Sequence, residues 1–151
     1  MRTGEIGTPA DMTADAPYAS LSPDLVLDAV GACGLWPDGR LLALNSYENR
    51  VWQVGLEDSP PVIAKFYRPG RWSDAAIIEE HTFAQELAEA ELPVVAPQAF
   101  DGRTLLLHGG FRYALTPRRG GRAPELEAVD QLQWLGRLIA RMHGVGARAP
   151  F

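Results

Sequence analysis

Val62-Ile63-Ala64-Lys65-Phe66-Tyr67 is an apolar run with one lysine inside it, and Arg68-Pro69-Gly70-Arg71-Trp72 closes it with a turn. The run reads as a buried or half-buried strand, where an ammonium group is costly unless an anion meets it, so Lys65 requires a partner. After the turn, Ser73 is placed to cap a helix in which Ala76, Ile77, Phe83, Ala84 and Leu87 recur at helical spacing. Glu80 falls on that stripe and is expected to project with the core face, toward Lys65. Glu79 is the alternative carboxylate. A second reading stays open from these residues alone, in which Lys65 snorkels to solvent at a strand edge and Glu80 sits at the margin of the stripe.

Upstream, Ser22-Pro23-Asp24 combines a capping serine, a proline at the first helical position and an acid in the first turn. Leu25, Val26, Ala29, Val30 and Cys33 then make one face, and Gly34 can stop the helix. Trp36-Pro37-Asp38-Gly39 reads as a turn. Strands are expected at residues 41–45, 51–56 and 62–67, the last two joined through Glu57-Asp58-Ser59-Pro60.

Downstream, Pro93 and Pro97 break the helical pattern, and Gln98-Ala99-Phe100 offers a short strand before an Asp101-Gly102 turn. Residues 104–107 and 111–115 read as a hairpin across His108-Gly109-Gly110. Residues 116–122 form a linker, and Leu126, Val129, Leu132, Leu135, Gly136, Ile139 and Met142 trace an amphipathic helix. The expected fold class is α+β: an antiparallel sheet of about five strands with one helix inserted after the third, followed by a further helix.

The composition, 46% hydrophobic and 9% aromatic over 151 residues, suits a soluble globular domain with an ordinary core. A net charge of -5 argues against a general nucleic-acid or anionic-membrane binder. Cys33 is the only cysteine, which excludes an intrachain disulfide framework and points to a reducing compartment, so a cytoplasmic location is expected. Residues 1–20 lack an apolar run of signal-peptide length and read as a mobile tail, and no stretch reaches the roughly 20 apolar residues of a membrane helix. His81, His108 and His143 lack metal-ligand spacing, so no metal site is expected. Glu86, Glu89 and Glu91 read as a solvated helix face rather than as paired catalytic acids.

A strand lysine meeting a helix glutamate is the arrangement by which kinases hold a lysine against the α- and β-phosphates of ATP. The run from Leu44-Asn45-Ser46-Tyr47-Glu48-Asn49-Arg50-Val51-Trp52, then Ala64-Lys65-Phe66-Tyr67-Arg68-Pro69, then Ile78-Glu79-Glu80-His81 resembles the stress response kinase A family. These are bacterial Ser/Thr protein kinases similar in fold to the aminoglycoside phosphotransferase and choline kinase group. Pro93-Val94-Val95-Ala96-Pro97, Gly120-Gly121-Arg122, Leu135-Gly136-Arg137 and Arg141-Met142-His143 extend the resemblance over nearly everything from Ser22 onward.

The resemblance implies a protein-kinase-like amino-terminal lobe over residues 21–117, then a hinge linker and the first helix of a second lobe over residues 118–151. It implies ATP and Mg2+ as cofactors, ATP and a Ser/Thr protein as substrates, Lys65 as the phosphate-binding cation and Glu80 as its brace. It also makes residues 46–50 the phosphate-side loop. Lacking a glycine-rich sequence, that loop must approach phosphates through Ser46, Asn49 and backbone N–H groups, although the same residues suit an ordinary hydrogen-bonded hairpin turn. Residues 115–118 occupy the hinge where backbone groups would bind adenine, which makes Thr116 and Arg118 candidate contacts. Arg118, Arg119 and Arg122 also read as a solvated linker.

The same resemblance places the catalytic His-Gly-Asp loop, its following asparagine and a later magnesium-binding aspartate beyond the helix that ends near His143, and the sequence stops at Phe151. The expectation is therefore the ATP-binding part of a kinase, with no catalytic residue of its own and inactive alone. The apolar face of its last helix is expected to self-associate, to fold back on the sheet or to fluctuate, with self-association favoured at high concentration. The alternative is a noncatalytic binding or regulatory module built on a kinase lobe.

Overall fold

Ser22 caps the first helix, its side chain accepting the Leu25 N–H at 3.2 Å, and Pro23 fills the first helical position of α1 (Pro23–Gly31). The computed structural model describes residues 16–149. After α1 come β1 (Pro37–Leu44), β2 (Arg50–Leu56) and β3 (Val62–Phe66), then α2 (Asp74–Glu89), β4 (Leu106–His108), β5 (Phe111–Pro117) and α3 (Val129–Gly146). The five strands form one antiparallel sheet in the order β1-β2-β3-β5-β4, with α2 inserted after the third strand as expected.

Register divides the sheet into two faces. Val54, Leu56, Val62, Ala64, Phe66, Phe111, Tyr113 and Leu115 join Val26, Ala29 and Val30 of α1 in the main core. Alternation then puts Leu44, Val51, Ile63, Lys65, Ala114 and Thr116 on the opposite face, since Leu44 pairs Val51, Val51 pairs Lys65, Lys65 pairs Ala114 and Ile63 pairs Thr116. There Leu44, Val51, Ile63 and Thr116 are only half-buried.

Three local expectations change. The turn expected at residues 36–39 is instead the start of β1, with an irregular register between Pro37 and Leu41. Gly39, at φ +88°, absorbs the extra residue, and Asp38 turns back to bind Arg40. The strand expected at residues 98–100 reduces to one bridge between Phe100 and Arg103, because Asp101 and Gly102, both at positive φ, reverse the chain before a ladder can extend. Leu126 lies ahead of α3, which begins at Val129 without a capping side chain.

The tail expected over residues 1–20 falls mostly outside the described residues. Its last part belongs to the core: Ala16–Tyr18 form a short 3-10 turn, and the buried Tyr18 stacks on Phe111 at 6.3 Å and donates to the Glu48 carbonyl at 2.8 Å. At the other end, Met142 and Val145 of α3 pack with Leu87 and Leu92 beside α2, while Leu132 and Ile139 keep 46% and 49% exposure.

Candidate functional site

The site is built on α2 and the face of β3 that carries Lys65. Ser73 accepts the Ala76 N–H at 3.2 Å, as its capping role requires. Arg112 of β5 fastens this end by donating to the Trp72 carbonyl at 2.8 Å and to Asp74 at 2.6 Å. Midway, Ile77 is buried in a small cluster with Tyr67, Ala114 and Leu105. At the far end, Arg141 of α3 donates to the carbonyls of Ala90 and Glu91 at 2.9 and 3.2 Å. Directional polar contacts thus fasten the two ends of this helix, with a small apolar patch between them.

Lys65 Nζ lies 3.3 Å from Glu80 Oε1, so the expected strand-to-helix pair forms. Glu80 nevertheless does not project into the core: its side chain is 63% exposed, against 31% for Lys65. The residue that occupies the core stripe is His81, four positions after Ile77 and 3% exposed. Glu79 is exposed and lines a separate cavity of about 410 Å³ with Ile78, Phe83 and Val145. An ion pair this exposed contributes about 0–1 kcal/mol, so the ammonium can exchange its partner for a phosphate oxygen at small cost.

Two residues that the sequence did not single out complete the surroundings of Lys65. The Tyr67 ring lies under the ammonium, 4.7 Å from centroid to Nζ, a cation–π contact. The Tyr67 hydroxyl is 2.6 Å from His81 Nε2, and His81 Nδ1 is 2.9 Å from Thr104 Oγ1. Burial pushes the His81 pKa below its ordinary value, opposed by Glu80 and reinforced by Lys65, while burial and then Glu80 push the Tyr67 hydroxyl above its own. Both groups are therefore neutral near pH 7. The available signal was the spacing of His81 four residues after Ile77, which Glu80 matches at three, so spacing alone did not separate them.

The remaining candidates are arranged differently from one another. In the loop between β1 and β2, the Ser46 hydroxyl donates to the Asn49 carbonyl, and Asn49 Oδ1 accepts the Arg68 N–H at 3.3 Å. Arg71 is paired with Glu48 at 2.7 Å, tying the loop to the segment after β3. Ser46 and Asn49 thus shape the hairpin, as the turn reading allows, and backbone N–H groups are what such a loop offers an anion. Thr116 lies on the Lys65 face opposite Ile63. The Arg118 N–H is engaged by the Pro61 carbonyl at 3.4 Å, and its side chain is exposed.

Lys65 is the only lysine of the 151-residue chain, all other cationic side chains of the Lys and Arg type being arginine. Arginine is a broad planar fork, whereas lysine is a compact ammonium that meets phosphate as a point charge. A half-buried ammonium, supported by a ring and a carboxylate on a sheet face that also carries Leu44, Val51 and Ile63, is suited to a ligand with an apolar part and an anionic part. Among the described residues no group of three or more His, Cys, Asp or Glu side chains is placed to hold a metal ion, and no helix is long and apolar enough to cross a membrane.

Comparison with known proteins shows what the chain and its fold are similar to. The model of a phosphotransferase enzyme family, APH, matches residues 40–151. Serine/threonine protein kinase RdoA of Salmonella typhimurium is 47% identical over 134 residues, which are 89% of this chain and 41% of the relative. Stress response kinase A of Escherichia coli K12 is 46% identical over the same shares of the two chains, 89% and 41%. This chain thus spans about two fifths of the length of those relatives. Among solved structures, amicoumacin kinase hAmiN in complex with AMP-PNP, Ca2+ and Ami superposes with a TM-score of 0.73 at 22% identity, over 93% of this chain and 44% of that one.

Proposed function

The chain belongs to the phosphotransferase enzyme family, and on that premise we propose that residues 21–117 are the ATP-holding lobe of a cytoplasmic Ser/Thr protein kinase that acts in stress response. The observation that carries this reading is the lone lysine of the chain, held on a sheet face beside Val51 and Ala114 and 3.3 Å from a helix carboxylate. In the proposed role Lys65 binds the α- and β-phosphates and Glu80 keeps the ammonium aimed when the site is empty. Leu44, Val51 and Ile63 provide an apolar bed for the adenine, with Thr116 at its hinge edge. The turn built by Ser46 and Asn49 presents backbone N–H groups to the phosphates.

This division of labour is electrostatic and positional, as phosphoryl transfer requires. Magnesium, when bound with ATP, neutralises charge on the phosphates. The described residues do not by themselves fit that ion, and no step assigned to them depends on it. The names of the relatives and the AMP-PNP bound to the structural neighbour support the nucleotide and the protein acceptor as the substrates of the whole enzyme. The 151-residue chain alone is expected to bind nucleotide weakly and not to turn over.

Chemical protection tests the reading with a single readout. An amine-acylating reagent has one lysine to modify, and peptide mass analysis separates that product from modification of the amino terminus. ATP should slow acylation of Lys65, and adenosine, which lacks phosphates, should not. Equal rates with and without saturating ATP would remove Lys65 from the phosphate site.

A further inference from the structure

The Lys65–Glu80 pair leaves open what orients α2, because an exposed carboxylate cannot hold a helix in place. Consecutive residues of an α-helix are separated by about 100° around its axis, so the rotational setting of α2 that aims Glu80 at Lys65 is fixed by whatever anchors its neighbour. That neighbour is His81, buried to 3% exposure and bonded at both ring nitrogens, to Tyr67 at the end of β3 and to Thr104 ahead of β4. Tyr67 is also the ring beneath the Lys65 ammonium. One imidazole therefore joins the helix to the aromatic support of the cation that the helix carboxylate meets.

We propose that His81 is a positioning residue: its Nε2 bond to Tyr67, with the Nδ1 bond to Thr104 fixing the tautomer, sets the roll of α2 and the tilt of the Tyr67 ring, and thereby holds the Lys65 ammonium between that ring and Glu80. The buried Tyr67 hydroxyl gains an acceptor when it donates to Nε2, which leaves the proton on Nδ1, donated to Thr104 Oγ1. This tautomer is neutral, in keeping with the burial that disfavours imidazolium here. The consequence for phosphate binding rests on the reading of Lys65 given above. The geometric claim stands apart from it.

The lone lysine makes a direct test available in the 151-residue chain. With [13C]lysine incorporated, one ε-methylene group reports, and the Tyr67 ring beneath it should displace its proton resonances upfield from those of free lysine. Glu80→Gln should collapse most of that displacement by releasing the ammonium. His81→Asn, whose amide reaches the Nδ1 position but not that of Nε2, should do the same with Glu80 and the ring both present. His81→Gln, whose amide reaches the Nε2 position, should retain it. Near-ultraviolet circular dichroism confirms that each variant is folded. Where His81→Asn fails to fold, Tyr67→Phe reads the same link, because it keeps the ring and deletes only the bond to His81, and it too should lose the displacement. Retention in His81→Asn or in Tyr67→Phe, or equal loss in the Asn and Gln variants, overturns the proposal. ATP added to the wild-type chain separates the two claims: an unresponsive lysine signal sinks the phosphate reading and leaves the positioning result standing.

Discussion

Arg141, on the face of α3 turned toward α2, donates its guanidinium to the carbonyl of Ala90, the residue that caps the end of α2. Glu91, which follows the cap, adopts φ +59°, with its N–H bonded to Ala88 and that of Leu92 bonded to Leu87, the double closure of a Schellman turn. A cation at a helix carboxyl end satisfies orphan carbonyls and complements the helix dipole. The helix that bears Glu80 is thus fastened at this end by α3.

Removing that fastening should loosen α2 from its far end. Arg141→Met is expected to cost about 1 kcal/mol, the scale of a partly exposed charged hydrogen bond at a helix terminus, read from urea unfolding midpoints. Amide exchange should accelerate in the last turn of α2 before it does in β3.

Glu91 carries avoidable strain. A left-handed conformation costs a residue with a β-carbon about 1–2 kcal/mol, and glycine adds back about 0.5–1 kcal/mol of unfolded-state entropy. Glu91→Gly is therefore expected to stabilise the chain by up to about 1.5 kcal/mol, seen as a higher thermal midpoint.

The pH dependence follows from His81. Burial holds its folded-state pKa below the ordinary 6.5, so the unfolded chain takes up a proton near that pH while the folded chain does not. Its contribution is fully present above pH 6.5 and declines as pH falls toward the lower folded value, by at most about 1.4 kcal/mol per pH unit. Urea midpoints measured between neutral and mildly acidic pH should fall more for the wild-type chain than for His81→Gln.

The exposed side of α3 should find a partner surface. Leu132 and Ile139 are about half exposed, and burying such a side chain is worth on the order of 1.5–3 kcal/mol. Light scattering over a dilution series should show concentration-dependent self-association that Leu132→Glu with Ile139→Glu suppresses. Strictly monomeric behaviour of the parent chain would contradict it.

How much was legible in the sequence depended on the range of the interaction. Ser22, Pro23 and Ser73 act within their own helix ends, so their residue types announced both starts, and the alternation around Lys65 announced β3. Local chemistry also hid things. Trp36-Pro37-Asp38-Gly39 has turn residues, but pairing with β2 stretches that segment into a bulged strand. Glu80 and His81 both lie near the apolar stripe, and only the placement of Tyr67 and Thr104, from the end of β3 and a segment 23 residues after His81, decides which one turns inward. Tyr18 and Arg141 contribute through partners far along the chain, at Glu48 and Ala90, which no local pattern reveals.

The measurement closest to the central claim is the equilibrium affinity of the 151-residue chain for ATP, compared with Lys65→Met and Lys65→Arg under identical salt. A charged hydrogen bond to phosphate is worth about 1.5–3 kcal/mol, so Lys65→Met should weaken binding roughly ten- to a hundredfold while the fold is kept. Lys65→Arg should fall between the two, since it preserves the charge but not the compact ammonium. Unchanged ATP affinity in a folded Lys65→Met chain would contradict the account.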